Sequence, residues 1–247
     1  MRIIDAHVHL GNDCVFDEEQ TEVEILDTFA KYDVEGGIVQ PFIPRMYVED
    51  TQRIHDRIFA FCQNNCGRFW GMMSMNPHFS RADYEKEAQR CIRDLGFVGI
   101  KITPIAHAAH PAKSDCMAVF EVAKELNVPV MVHTGAGVPF ADPMQLSKPI
   151  EAFRDVKIVI AHGGSDNMVG SAIYLARRYE NVFIEPSWLA IPNLMGMYKQ
   201  LGPGKIMFSS DMLVNLPMEL CKYDLVFKEQ EAREQVYHKT VESVFNL

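Results

Sequence analysis

The chain has little positive charge for its size. Across 247 residues, 24 lysines and arginines stand against 33 aspartates and glutamates, a formal net charge of −9. That balance disfavours nucleic acid and an anionic membrane as the main partner. No apolar run approaches the ~18 to 20 residues of a membrane span. No basic region followed by a long apolar stretch opens the chain, so no secretion signal is expected. A paired cysteine framework is also missing. Cys14, Cys62, Cys66, Cys91, Cys116 and Cys221 are scattered, which reads as reduced thiols in a cytoplasmic protein. Cys62 and Cys66 share a helical face at i and i+4, but no second thiol pair joins them, so they read as two half-buried side chains. The glycine fingerprint of a dinucleotide site is absent too, since "HLGNDC" does not supply G-x-G-x-x-G. No internal repeat or low-complexity linker divides the chain, and one domain over 1–247 is expected.

What is present is alternation. Short β-branched runs are followed by longer amphipathic stretches. Candidate strands lie at 3–9, 36–42, 68–75, 97–103, 129–134, 157–162, 182–186 and 205–211. Several are apolar at consecutive positions, as parallel strands covered on both faces require. Helices are predicted near 22–34, 49–65, 80–96, 114–127, 145–153, 166–179, 188–201 and 228–244, with a short one in 215–222. Ser80 and Ser114 are placed as N-caps, with Gly96 and Asn127 as stops. Strand then helix, eight times in 247 residues, is the rhythm of an α/β (β/α)8 TIM barrel. An open doubly wound sheet is the runner-up, but it needs fewer strands or more chain.

In such a barrel the chemistry sits at the C-terminal ends of the strands. Strand 1, "IIDAHVH", ends in His7 and His9, with Asp5 on the same face by the period of two. Strand 4 offers Lys101, strand 5 His133, strand 6 His162 and strand 8 Asp211. Any one of these is readily a hydrogen-bonded structural residue, a snorkelling lysine or a cap. Several at matching strand ends are hard to explain as capping, because a buried cluster of histidines and a carboxylate is costly unless it holds a metal or a fixed polar network. Three imidazoles and a carboxylate suit zinc or a similar divalent ion. His55 and His238 fall within predicted helices and read as structural.

The H-x-H ending strand 1, with the lysine, two histidines and aspartate that follow, resembles the amidohydrolase superfamily. The phrases "IDAHVHLG", "GFVGIKITP", "IVIAHGG" and "IMFSSDM" are similar to its amidohydrolase-2 branch. That resemblance implies that His7, His9, His133 and Asp211 bind one divalent metal, Zn2+ first, with Mn2+ or a second ion as alternatives. His162 would be a second-metal ligand or a catalytic group. Lys101 would be a carboxylated bridge in a two-metal site, or an unmodified lysine in the one-metal site expected here. This branch commonly has a histidine two residues past the lysine; this chain has Thr103, with His107 and His110 following.

The expected activity is that of a metal-dependent hydrolase opening a small-molecule amide, lactone or ester. Water on the metal would attack, Asp211 would take its proton, and His162 would stabilise the oxyanion or protonate the leaving group. The alternative is a metal-dependent decarboxylase of an unsaturated or aromatic carboxylic acid. Substrate-facing candidates are Arg45, Asn76, His78, His107, His110 and Trp188, all on loops after strands. Arg45 would hold a substrate carboxylate, or else pair with Glu49 or Asp50. The oligomeric state, monomer or homo-oligomer, stays open.

Overall fold

The computed structural model describes residues 1–135 and 139–247. Seven parallel strands run β1 (Ile4–Asn12), β2 (Gly36–Pro41), β3 (Phe69–Gly71, continued after Met72 by Met73–Ser74), β4 (Ile100–Ile102), β5 (Val130–His133), β6 (Ile158–Ala161) and β7 (Val182–Glu185). Each pairs with the next in order around the barrel. The break at Met72 leaves the two halves of β3 in different ladders, and its amide bonds Val39 O at 2.8 Å.

The predicted eighth strand, 205–211, is not a regular ladder. It closes the barrel through two isolated bridges, Ile184 to Ile206 and Val8 to Asp211. Further bonds run from the Met207 amide to Ile184 O (3.1 Å), from Ala6 to Phe208 O (2.9 Å) and from Asp211 to His7 O (2.8 Å). The physical reason is local. Asp211 takes φ +66°, and the Ser210 amide goes to the Asp5 carboxylate instead of a neighbouring strand.

Residues alternate between two apolar layers. Ile100, Ile102, Val130, Val132, Ile158, Ile160, Val182 and Ile184 belong to the large core against the helices. Ile4, Ile38, Met72, Met131, Val159 and Met207 form a second cluster with Val241, Val244 and Phe245 of the last helix. Continuing the inward face by steps of two from this floor, Met131 leads to His133, Phe183 to Glu185, and Met207 to Ser209 and Asp211. The interior is thus apolar at one end and polar at the other.

Helices follow the expected pattern. Ser80 caps Arg81–Gln89 by accepting the Asp83 amide. Ser114 does not cap: the helix Ser114–Leu126 starts on it, with Lys113 at the N-cap position and no side-chain bond there. The predicted short helix at 215–222 is a full one, Leu216–Val226.

His55 is structural, as expected. Its Nδ1 bonds Glu87 Oε1 at 2.7 Å in the buried seam between helices Val48–Asn64 and Arg81–Gln89. Arg90 donates to both Glu87 oxygens, at 3.0 and 2.7 Å, and Gln52 donates at 3.1 Å. Burial pushes the Glu87 carboxyl up, but the bonds from His55 and Arg90 outweigh it and hold it at about 2. A depressed carboxyl contributes stability that is present above its unfolded value and is lost as pH falls through the folded one. Between the ordinary 4.5 and about 2, that contribution is about 3 kcal/mol. Glu87→Gln is expected to lower unfolding stability by about 2 to 3 kcal/mol at pH 7, with most of the gap gone by pH 3. Urea titrations of both proteins at the two pH values check this, and a gap of equal size at pH 3 would refute the ionic origin.

Candidate active site

Three ring and carboxylate atoms meet at the polar end of the barrel. His7 Nε2 lies 3.1 Å from His9 Nε2, and Asp211 Oδ1 lies 3.0 Å from the first and 3.2 Å from the second. The tautomers follow from the opposite edges of the rings. His7 Nδ1 faces Glu185 Oε2 at 2.8 Å and His9 Nδ1 faces Pro41 O at 3.1 Å. Carboxylate and carbonyl oxygens only accept, so both Nδ1 atoms carry the hydrogen and both Nε2 atoms present lone pairs.

Two nitrogen lone pairs and a carboxylate oxygen in mutual contact repel unless a cation lies among them. Zinc bonds of about 2.0 to 2.2 Å set donors about 2.9 to 3.4 Å apart in octahedral to tetrahedral arrangements. The observed 3.0 to 3.2 Å falls inside that range, so the donor set fits a divalent ion. Lys101 brings an ammonium to the same point, 2.9 Å from His7 Nε2. Burial lowers its pKa to about 8, partly offset by Asp211 and Glu185.

His133 stands outside this tight group of donors among the described residues. Its Nδ1 faces His162 Nε2 at 3.0 Å, which leaves Nε2 free on a residue that lines the same cavity. His162 sits behind it, buried, with Nδ1 on Ser187 Oγ at 2.8 Å. The cavity holds about 100 Å³ beside His9, Lys101, His133 and Asp211, with Phe42, Ile43, Thr103 and Ile105 as its less polar wall. Phe42 stacks on His9 with centroids 4.6 Å apart.

Glu185 is the residue that the strand-end reading passed over. It ends β7, in "VFIEP", in register with the residues that were picked, and that position was the signal. Fully buried, it accepts from the His7 ring, from the His162 amide at 3.1 Å, from the Ser187 amide at 2.7 Å and from Ser209 Oγ. Burial pushes its carboxyl up, yet His7 and His162 hold it well below the usual range. Asp211 is likewise held low: burial opposes ionisation, but the imidazoles of His7, His162 and His9 prevail. Its Oδ2 accepts the Trp188 indole N–H at 2.8 Å.

Asp5 does not join its strand-mates. The register of β1 against β2 shifts between Asp5 and Val8, a bulge that changes which way residues face. Asp5 Oδ1 instead accepts the amides of His7 and Ser210, both at 3.0 Å. Among the loop candidates, Trp188 reaches the site and the others divide. Arg45, Asn76 and His107 line a neighbouring cleft of about 200 Å³ that shares Ile43 with the metal cavity. Arg45 pairs with neither Glu49 nor Asp50; Asp50 is taken by Arg53. His107 is buried, with Nδ1 accepting the Thr103 amide at 3.3 Å, and burial drops its pKa to about 3. His78 is spent on Asp115 at 2.6 Å, at the exposed surface. His110 Nδ1 accepts the Ala112 amide at 3.1 Å.

The family model described as Amidohydrolase matches residues 4–247. A 2-keto-4-carboxy-3-hexenedioate hydratase from Sphingobium sp. is 27% identical over 114 residues, 38% of this chain and 33% of that relative, so the match spans about a third of its length. A 2,6-dihydroxybenzoate decarboxylase complexed with 2,6-dihydroxybenzoate superposes with TM-score 0.82 at 16% identity, covering 100% of both chains. A dihydroxybenzoic acid decarboxylase from Polaromonas sp., with bound manganese and 2-nitroresorcinol, superposes with TM-score 0.81 at 14% identity, covering 100% of this chain and 97% of that one. At these identities the structural likenesses establish the TIM-barrel fold.

The metal reading predicts that His7→Ala loses most of the divalent metal that the purified protein carries. Glu185→Gln should keep the fold and weaken metal binding by about 10- to 100-fold, because the His7 tautomer is no longer enforced. Elemental analysis and metal titration check both. Unchanged metal in His7→Ala would remove the assignment.

Proposed function

The chain belongs to the amidohydrolase family; from that premise we propose that it is a divalent-metal-dependent carbon–carbon lyase that decarboxylates a small aromatic or conjugated carboxylic acid. His7, His9 and Asp211 would hold the metal, zinc or manganese, with His133 completing the set through Nε2. When bound, the metal supplies a Lewis acid against which an anionic substrate is held. The observation that carries the reading is the pairing of this donor set with the Lys101 ammonium 2.9 Å from it, in a small cavity lined in part by Phe42, Ile43 and Ile105.

Hydrolysis, the activity expected from the sequence, asks Asp211 to take a proton from water. Its Oδ2 already accepts the Trp188 indole N–H and its Oδ1 faces the His7 and His9 nitrogens of the donor set, which leaves it poorly placed to take that proton. Decarboxylation makes a different demand. The substrate carboxylate must be held and desolvated, the carbon–carbon bond must break with CO2 leaving, and a proton must be delivered to the carbon that lost it. Lys101 supplies the charge. Phe42, Ile43 and Ile105 flank the unsaturated body. The proton that replaces the departing carboxyl would come from the Lys101 ammonium, whose pKa burial lowers to about 8, while His162, 3.0 Å from His133 Nδ1, would hold that ring in place.

The comparisons support this class of acid. The two decarboxylases act on dihydroxybenzoates, and the hydratase acts on an unsaturated tricarboxylate. Hydration is therefore the second reading, and it differs in an outcome that can be measured: water is added and no CO2 is released.

A panel of hydroxybenzoates and unsaturated dicarboxylates, assayed with Mn2+ or Zn2+ for CO2 release, tests the proposal. Asp211→Asn, which replaces a carboxylate metal ligand by a neutral amide, should weaken Mn2+ binding and lower turnover with it while keeping the fold. Water incorporation without CO2 would favour hydration, and cleavage of esters or lactones alone would restore hydrolysis. Arg45 lies in the neighbouring cleft, so Arg45→Met should raise KM only for acids with a second anionic group that reaches it. Equal KM changes for short and long acids would make it a general surface charge.

A further inference from the structure

Trp188 and Asp211 both hold backbone that L-residues rarely adopt, φ +69° and +66°. They come from different loops, after β7 and at the end of 206–211, and they meet through the indole N–H on Asp211 Oδ2. Such conformations persist only where surrounding contacts over-determine them. The indole is half exposed, so packing alone does not fix it.

We infer that Glu219, on the helix Leu216–Val226, is the positioning residue that locks these two loops together and so orients the Asp211 carboxylate. Glu219 is fully buried. One oxygen, Oε1, accepts from the Trp188 amide at 2.8 Å, from Asn215 Nδ2 at 2.9 Å and from Lys222 Nζ at 2.6 Å. The second contacts of these donors close the device. Asn215 Nδ2 also donates to Ser210 O at 3.0 Å, one residue before Asp211. Lys222 Nζ also donates to Leu189 O at 2.7 Å, one residue after Trp188. A single carboxyl oxygen therefore gathers both loops. Glu219 itself lines none of the cavities described for the site; it acts through Trp188 and Asn215.

The chain has two tryptophans, so in a Trp70→Phe background Trp188 alone emits. Glu219→Leu, folded by circular dichroism, should lower the anisotropy of that emission and weaken Mn2+ binding by about 10-fold. Glu219→Gln should restore most of both, because an amide oxygen accepts the same three N–H groups. In a Trp188→Phe background Glu219→Leu should weaken Mn2+ binding less, because only the path through Asn215 to Ser210 remains. If Glu219→Leu does not fold, Asn215→Ala cuts the link to Ser210 and should move both readouts in the same direction. Unchanged anisotropy in the folded variant, or an equal Mn2+ loss with and without the indole, overturns the inference. The Mn2+ arm rests on reading Asp211 as a metal ligand. The anisotropy arm uses no metal, so failure of that reading is distinguishable from failure of this one.

Discussion

One buried carboxylate governs the arrangement of the rest. Glu185 accepts the His7 ring hydrogen, and that bond decides which nitrogen of His7 presents its lone pair to Asp211 and His9. It also takes the His162 amide and the Ser187 amide, so it pins the ends of β1, β6 and β7 to one point. A charge buried this deeply is tolerable only because its oxygens are satisfied and cationic or polarised groups surround it. Remove the acceptor and the His7 tautomer, the His162 backbone and the mouth of the barrel lose their common reference.

The barrel makes such a site affordable by segregating it. Its floor is closed by Met131, Val159, Met207 and Phe245, and the same inward faces turn polar two residues later. Apolar burial below supplies the cohesion, while the upper layer carries groups that burial penalises. The cost falls on the charged forms, with the imidazole of His7 pushed down to about 3 chiefly by burial and Lys101 to about 8. It appears also in the backbone. His162, Trp188 and Asp211 all take left-handed φ, and all three belong to the site, where strain of this kind gathers.

Catalytic character follows from the same constraint. A carboxylate hemmed by imidazoles and an indole is a good ligand and a poor base, whereas an ammonium in a low-dielectric pocket is a strong anchor for an anion. The lyase reading proposed above rests on that contrast.

The sequence by itself determined the barrel and which polar residues close its strands. Both rest on local rules: strand periodicity of two, apolar runs covered on both faces, and a polar residue closing each run, as in "VMVH" and "IVIAH". Only the tertiary structure decided how those ends are used. A bulge in β1 took Asp5 out of the mouth, closure through isolated bridges replaced a full eighth strand, and Arg45 came to rest in the next cleft. His78 went to Asp115, a residue 37 positions away, and Glu219 gathered loops that are distant in sequence. Period and propensity are properties of neighbouring residues; which lone pairs face each other is settled by ring closure, where eight chain segments must meet at one mouth and each hydrogen bond there depends on all of them.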